Sequence, residues 1–236
     1  MAENEILESI RGRIIVSCQG TADTGNPFHT PEHMLLMARS AYKGGACGFR
    51  ANTPPNILAI KEAYPQLPMI GIWKIVEGDN EVYITPHMSA VDTLVSLGCE
   101  IVALDGTDRK NARGQYAWQF LGEAKKKYPK QLIMADIATL KEAELCAKQG
   151  ADILSTTMCG YTEESKQFKG VCNFQLLKDI KEKVPGVFLI CEGKIWSVED
   201  AREAFESGAD AIVIGTAITN PMSITQRFVD LAAKVK

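Results

Sequence analysis

The sequence predicts an α/β protein of a single domain, in which eight parallel strands alternate with eight helices and close into a TIM (β/α)8 barrel. The first observation is a repeat in which a helix end, a glycine and a small or polar pair precede an apolar strand. Its glycines, Gly45, Gly98, Gly150 and Gly208, lie about fifty residues apart. Each interval holds a second apolar run, so one repeat contains two strand–helix units. The segment "VSCQGTADTG" after the first strand also lacks the GxGxxG of a doubly wound sheet.

Apolar periodicity and helix-capping residues define the individual strands and helices. The strands are predicted to end near Gln19, Arg50, Trp73, Asp105, Asp136, Thr157, Glu192 and Gly215. Helical apolar periods occupy residues 31–43, 56–64, 88–98, 115–128, 139–150, 173–184, 198–208 and 223–235. Thr139, Asn173 and Ser197 are the expected N-caps of three of these helices. The whole chain, 1–236, is expected to form one barrel with a short extra helix at about residues 3–11.

Composition and charge exclude several classes of protein. Of 236 residues, 46% are apolar and 23% are charged, which is typical of a globular domain. The formal net charge of -3 provides no basic surface for nucleic acid. The N-terminal segment lacks the pattern of a signal peptide, and no 18 apolar residues run together. We therefore expect a cytoplasmic protein with neither a nucleic-acid nor a membrane partner.

The cysteines and histidines predict neither disulfides nor a metal site. Seven cysteines occur without a CxxC pair, and most lie in apolar, strand-like runs. This favours buried free thiols in a reducing compartment. The three histidines, His29, His33 and His87, have no metal-ligand spacing.

Polar residues stand at equivalent positions after the predicted strands. Lys74 follows the buried run "MIGIW", where its amine reaches the mouth of a barrel without entering the core. The other residues of this set are Gln19, Arg50, Asp105, Asp136, Thr156, Thr157 and Glu192. Each has a structural alternative, since Lys74 can extend to water, Asp105 and Asp136 can pair with Arg50, and Gln19 can close a turn. Their common location nevertheless predicts a polar active site.

The loops after strands seven and eight predict a phosphate site. They read "CEGKIWS" and "IGTAIT", and this fold commonly holds phosphate at that place. Gly193 and Gly215 allow backbone N–H groups to approach an anion, Thr216 adds a hydroxyl and Lys194 a charge. The alternative is that the glycines merely allow tight turns. The site as a whole suits proton transfer or imine chemistry on a phosphorylated sugar.

The motifs in order resemble a known family, the N-acetylmannosamine-6-phosphate 2-epimerases. The motifs that carry this resemblance are "GRIIVSCQG", "GFRAN", "IGIWK", "EVYITP", "IVALDGT", "MADIATLKEA", "GADILSTTMCGYT", "CEGKIWS" and "GADAIVIGTAIT". They extend from Gly12 to about Phe228. The resemblance implies an isomerase of sialic acid breakdown that needs no metal or organic cofactor and forms oligomers, often homodimers.

The same resemblance assigns roles to the strand-end residues. It implies that Lys74 and Glu192 are catalytic, that Gln19, Arg50 and Asp136 contact the substrate, and that Gly193, Gly215 and Thr216 bind its phosphate. From their positions, Asp105 and Thr157 are added to the substrate contacts and Lys194 to the phosphate site.

The chemistry required is inversion at C2, next to the C1 aldehyde of an opened N-acetylhexosamine phosphate. Our hypothesis is that neutral Lys74 removes the C2 proton, while Glu192 with Asp136 handles ring opening and hydroxyls. The reverse assignment, with Glu192 as base and Lys74 as electrophile, stays open. Two other functions also remain: an aldolase that forms a Schiff base, and a sugar-phosphate binder without chemistry.

Overall fold

Eight parallel strands form a closed barrel in a computed structural model that describes residues 3–20 and 25–235. The strands are β1 (Ile14–Cys18), β2 (Gly48–Asn52), β3 (Met69–Ile72), β4 (Ile101–Asp105), β5 (Leu132–Asp136), β6 (Ile153–Ser155), β7 (Phe188–Glu192) and β8 (Ala211–Ile214). Each strand pairs with the next in the chain, and β8 pairs with β1. The predicted TIM barrel is thus confirmed.

The helices alternate with the strands and begin at recognisable caps. They are α1 (Glu3–Ile10), α2 (Pro31–Lys43), α3 (Pro54–Ala63), α4 (Met88–Ser96), α5 (Ala117–Lys127), α6 (Leu140–Lys148), α7 (Phe174–Lys183), α8 (Val198–Glu206), α9 (Thr216–Thr219) and α10 (Pro221–Lys234). Thr139 and Ser197 form the capping boxes of α6 and α8, and Asn173 caps α7. These three predicted caps are confirmed.

The core has two layers because successive strand residues point to opposite faces. Val16, Phe49 and Cys191 belong to the outer layer, between the strands and the surrounding helices. Ile15, Ile70 and Ile190 belong to the inner layer that fills the barrel. Ile6 and Ile10 of α1 join the inner layer, so α1 covers the amino-terminal end of the barrel. This leaves the carboxyl end as the open mouth.

Two strands end differently from the prediction. Strand β2 continues past Arg50 because Ala51 and Asn52 still pair with β3, which places Arg50 inside the strand. Strand β6 stops at Ser155 because residues Thr156–Met158 wind into a 3-10 turn, so Thr157 lies on that turn. A second 3-10 helix, Glu163–Phe168, follows in the same loop before α7. Both shifts are two residues long and leave the two side chains at the mouth.

Neither a membrane-spanning helix nor a metal-binding cluster occurs in the described part of the chain. No helix there has both the length and the apolar character needed to cross a bilayer. No group of three or more histidine, cysteine or acidic side chains in these same ranges is arranged to hold a metal ion.

Candidate active site

A cavity of about 590 Å³ opens at the carboxyl ends of the barrel strands. Nine of the eleven residues predicted for the site line this cavity: Gln19, Arg50, Lys74, Thr157, Glu192, Gly193, Lys194, Gly215 and Thr216. The two others, Asp105 and Asp136, are buried and do not line it. A volume of this size accommodates a small-molecule ligand.

Arg50 organises a buried ionic cluster at the floor of the cavity. Its Nη1 and Nη2 donate to Oδ1 and Oδ2 of Asp136 at 3.0 and 2.5 Å, and Nη1 also donates to Oε2 of Glu192. The hydroxyl of Thr157 donates to Asp136 Oδ1 at 2.7 Å and lies 3.2 Å from Glu192 Oε2. Strands β2, β5 and β7 and the turn after β6 therefore deliver one charge-assisted network.

The electrostatics of this cluster shift the pKa of Glu192. Burial raises the pKa of Glu192 to about 7; the neighbouring Asp136 adds to the rise and Arg50 opposes it. Burial alone would lower the pKa of Arg50, but the carboxylates of Asp136 and Glu192 outweigh it and raise that pKa. Arg50 therefore keeps its charge, while Glu192 exchanges its proton near neutral pH. A group with such a pKa is suited to act as either acid or base.

Lys74 reaches the cavity from the loop after β3, where its backbone is firmly held. Its N–H donates to Oδ1 of the buried Asn52 at 2.9 Å, and it forms an antiparallel bridge with Ile84. The next residue after Ile84, Thr85, is fully buried; its hydroxyl accepts the N–H of Trp73 and donates to Ala103 O. Lys74 itself is half-buried. Its position is therefore fixed by β2, β4 and the segment that carries Ile84 and Thr85.

Lys74 and Glu192 belong to opposite sides of the barrel. Lys74 follows β3 and Glu192 ends β7, and four steps separate these strands in a ring of eight. Both side chains line the one cavity.

Ser17 of β1 and Gln19, which directly follows this strand, form one part of the cavity wall. The Gln19 amide donates to Ser17 Oγ at 2.8 Å, and both residues line the cavity. Gly215 lies against this strand: a Cβ added to it would come within 3.2 Å of Ser17 Cβ. A side chain at this position would therefore need Ser17 to shift by a few tenths of an ångström, and glycine lets the turn after β8 lie close to β1 without that shift.

The predicted phosphate residues lie together at one end of the cavity. Gly193 and Lys194 have φ angles of 100° and 61°, so their backbone turns sharply after β7. For Lys194 this is an uncommon conformation of the kind found at binding sites. Its Nζ donates to Cys159 O and lies 3.9 Å from the ring centroid of Tyr161, and burial lowers its pKa. Thr216 begins the short helix α9 beside them.

Asp105 is held away from the cavity by its own loop. Thr107 Oγ1 donates to its Oδ1 at 2.6 Å, and Arg109 Nη2 donates to its Oδ2 at 2.9 Å. Burial raises the pKa of this carboxyl, although Arg109 and Thr107 oppose the rise. Its role as a substrate contact therefore stays a prediction, without support from its position.

Sequence reasoning missed several residues of the cavity wall. Tyr83, Tyr161 and Trp196 line it, together with the buried Asn26. Tyr83 and Tyr161 stand inside motifs already noted, "VYITP" and "GYT", so the motifs themselves were the available signal. Asn26 carried no such signal because the sequence around it has no apolar periodicity and no motif.

Fold and site together define a class, a TIM-barrel enzyme with a lysine and a glutamate of raised pKa in the wall of one small-molecule cavity. The profile of the family described as "Putative N-acetylmannosamine-6-phosphate epimerase" matches residues 34–234. The chain belongs to this family. The resemblance read from the motifs is thereby confirmed, as is the class of enzyme, a carbohydrate epimerase.

Individual relatives agree along nearly the whole chain. A protein of Caldanaerobacter subterraneus subsp. tengcongensis, described as "Putative N-acetylmannosamine-6-phosphate 2-epimerase", is 43% identical over 225 residues, covering 95% of this chain and 93% of the relative. The solved N-acetylmannosamine-6-phosphate 2-epimerase from Clostridium perfringens superposes with a TM-score of 0.88 at 41% identity, over 95% of each chain. A solved aldolase superposes with a TM-score of 0.67 at 16% identity, which shows a common fold alone.

Proposed function

We propose that this protein interconverts N-acetylmannosamine 6-phosphate and N-acetylglucosamine 6-phosphate, in the breakdown of sialic acid and related amino sugars. Family membership supports the reaction, and one observation about this chain supports the mechanism. Lys74 and Glu192 line one cavity from opposite sides of the barrel. Inversion of a carbon centre requires a proton to leave one face and return to the other, and two opposed groups meet that need.

The first step is removal of hydrogen from C2 of the open-chain sugar. The adjacent C1 aldehyde makes this proton acidic and receives the electron pair as an enolate. Neutral Lys74 takes the proton of N-acetylmannosamine 6-phosphate and becomes an ammonium group. Lysine in water has a pKa of about 10.4, so the reaction depends on the amine being held in its neutral form.

The second step is delivery of a proton to the opposite face of C2. Glu192 in its carboxylic acid form donates it and becomes a carboxylate; in the reverse reaction the two groups exchange tasks. The pKa of about 7 keeps a substantial fraction of Glu192 protonated near neutral pH. This assignment replaces the more limited role, in ring opening, that the sequence suggested for Glu192.

The remaining predicted site residues complete the proposal. Arg50, Asp136 and Thr157 position Glu192 through the hydrogen bonds of the floor cluster. Gln19 contacts the sugar from β1. The phosphate is held by Gly193, Lys194, Gly215 and Thr216. Asp105 remains a weaker candidate contact.

Incubation of the enzyme with N-acetylmannosamine 6-phosphate in deuterated water tests the reaction. NMR is expected to show N-acetylglucosamine 6-phosphate that carries deuterium at C2. Borohydride reduction with substrate present is expected to leave the protein unlabelled, whereas a Schiff-base aldolase would be trapped as an adduct. Absence of any C2 exchange would instead indicate a sugar-phosphate binder without chemistry.

The protein is further proposed to act as a homodimer. Helix α10 has no buried residue, and its stripe of Ile224, Phe228 and Leu231, continued by Val235 just beyond it, is largely exposed. An exposed apolar stripe of this kind is typical of a surface that a second protein surface covers. The first turn of α10 also contains Met222 and Ser223, which line the cavity. A second copy is the proposed cover. Phe228→Glu is expected to give a monomer by light scattering, whereas Gln226→Glu, on the same helix, is not.

The cytoplasm is the proposed compartment. All seven cysteines are free thiols, as expected in a reducing environment. Fractionation of cells that express the protein, probed with an antibody, would detect it in the soluble cytoplasmic fraction if this is correct.

A further inference from the structure

Two cysteines lie in contact directly behind the strand that ends at Glu192. The Sγ atoms of Cys172 and Cys191 are 3.5 Å apart. Cys191 belongs to β7 and faces the outer layer of the core, whereas Cys172 lies just before the N-cap of α7. A disulfide bond is about 2.05 Å long, so the two sulfur atoms need to approach by only about 1.5 Å.

The two thiols differ in the way that a reactive pair requires. All seven cysteines lie in the described part of the chain, and Cys172 is the one that is not fully buried. A hydrogen bond from Cys191 lowers the pKa of the Cys172 thiol, against the effect of burial, and Lys194 assists. The Cys191 thiol has a raised pKa, through the same hydrogen bond and through burial. Cys172 is thus the more accessible and more readily ionised thiol, and Cys191 is its buried partner.

We propose that Cys172 and Cys191 are an oxidation site, which a peroxide converts to a disulfide that ties the loop after β6 to strand β7. The Cys172 thiolate attacks one oxygen of hydrogen peroxide; an S–O bond forms, the O–O bond breaks, and the departing hydroxide takes a proton to become water. The Cys191 sulfur then attacks the sulfenic acid of Cys172. The S–S bond forms, the S–O bond breaks, and the hydroxide leaves with the Cys191 proton as a second water.

The disulfide between Cys172 and Cys191 would affect the cavity through the loop of residues 156–173. This loop contains Tyr161, which lines the cavity, and the Cys159 carbonyl that accepts the Lys194 ammonium. Strand β7 is paired on both sides, so the loop moves rather than the strand. The hydroxyl of Thr156 also joins Cys191 to Glu192: it lies 3.9 Å from the sulfur and bonds both the N–H and the carbonyl of Glu192. Oxidation therefore displaces the phosphate end of the site.

Thiol counting and peptide mapping test the site without any assay of activity. The full-length enzyme is treated with hydrogen peroxide, quenched with an alkylating agent and denatured. Free thiols are expected to fall from seven to five per chain. Trypsin separates the three neighbouring cysteines onto peptides 149–166, 170–178 and 184–194, so the pairing is read directly. The expected product joins 170–178 to 184–194 and is released by a thiol reductant.

Three variants make the test selective. Cys172→Ser and Cys191→Ser are expected to abolish the cross-link, whereas Cys159→Ser leaves it in place. A count that stays at seven, a link to peptide 149–166, or oxidation of Cys172 to sulfinic acid without a link would each overturn the proposal. Because the mapping needs only the wild-type chain, it remains decisive if a serine variant does not fold.

A second measurement, the KM of the enzyme, tests whether this disulfide alters the substrate site, and it rests on the proposed function. Oxidation is expected to raise KM for N-acetylmannosamine 6-phosphate several-fold, reversibly, and to leave Cys172→Ser unchanged. An oxidised enzyme with unaltered KM contradicts the effect of the tether on the loop. If the protein proves not to be an epimerase, peptide mapping still shows whether the Cys172–Cys191 disulfide forms.

Discussion

Asp105 and Asp136 occupy equivalent positions in the barrel but belong to different regions of it. They end neighbouring strands, are paired with each other in register, and are both buried. Each accepts hydrogen bonds from one arginine and one threonine. For Asp105 these are Arg109 and Thr107 of its own loop, whereas for Asp136 they are Arg50 of β2 and Thr157 of the turn after β6.

The difference is that only the second network includes a second carboxylate. Arg50 bonds Asp136 and Glu192 together, so the charge on Asp136 acts on the pKa of Glu192. Arg109 lies four residues after Asp105, and their ion pair connects the end of β4 only to the loop that follows it. The two aspartates therefore differ because their arginines come from different places. Asp136 is linked through Arg50 to Glu192 in the cavity wall, whereas Asp105 is linked through Arg109 only to its own loop. The role of a carboxylate at a strand end thus cannot be inferred from its position alone; the cation that pairs with it must also be known.

The largest expected effect distinguishes the two arginines. Arg50→Met leaves two buried carboxylates without their cation, and we expect it to lower the free energy of unfolding by about 3–5 kcal/mol and to abolish turnover. Arg109→Met leaves Asp105 with its two hydrogen bonds from Thr107. We expect a loss of only about 1–3 kcal/mol there, with turnover kept within several-fold. Urea unfolding and steady-state rates check both variants, and equal losses of turnover would contradict the comparison.

The next effect concerns the pH dependence of stability. The folded protein holds Glu192 at a pKa of about 7, against an ordinary value of 4.5, so between these values it binds a proton that the unfolded chain has released. Stability therefore falls as pH rises through this window, by about 3 kcal/mol in all, and stays constant above it.

Glu192→Gln lacks this titration and supplies the measurement. Relative to wild type, the variant is expected to gain about 3 kcal/mol in unfolding free energy between pH 4.5 and pH 8. Urea titrations of both proteins across the range give the difference directly. A difference that does not change with pH would show that Glu192 titrates normally.

The smallest expected effect distinguishes the two threonines. Thr157→Val and Thr107→Val each remove a hydroxyl that is hydrogen-bonded to a buried carboxylate, and each is expected to cost about 1–2 kcal/mol of stability. The Thr157 hydrogen bond lowers the pKa of Glu192, so its loss raises that pKa. Because donation to C2 requires protonated Glu192, the alkaline limb of the forward rate moves to higher pH in Thr157→Val. The matched Thr107→Val profile stays in place, and a shift in both would break the distinction.

The barrel could be predicted from the sequence because its signals are local. Glycines at the starts of strands, caps such as Thr139 and Ser197, and short apolar runs each act within a few residues, and the structure follows them. The exceptions also have local causes. Arg50 lies inside β2 because pairing with β3 extends the strand, and Thr157 lies outside β6 because a 3-10 turn begins early.

The site was predictable only as a set of residues at the mouth. Lys74, Arg50 and Glu192 were predicted to lie at the mouth from their positions at or near strand ends, and all three line the one cavity. It could not distinguish Asp105 from Asp136, because the choice of arginine depends on contacts between residues that are distant in the chain. The helix predicted at residues 223–235 is present as α10, but its apolar stripe has the same periodicity whether it packs on its own barrel or is exposed, so the sequence could not decide between these two arrangements.

The most direct test of the opposed groups is an exchange experiment with each single variant in deuterated water. We predict that Glu192→Gln, which retains Lys74, labels C2 of N-acetylmannosamine 6-phosphate without forming the epimer. Lys74→Ala, which retains Glu192, is predicted to label only N-acetylglucosamine 6-phosphate. Labelling of both sugars by one variant and neither by the other would contradict a pair that serves two faces and would point to a single base.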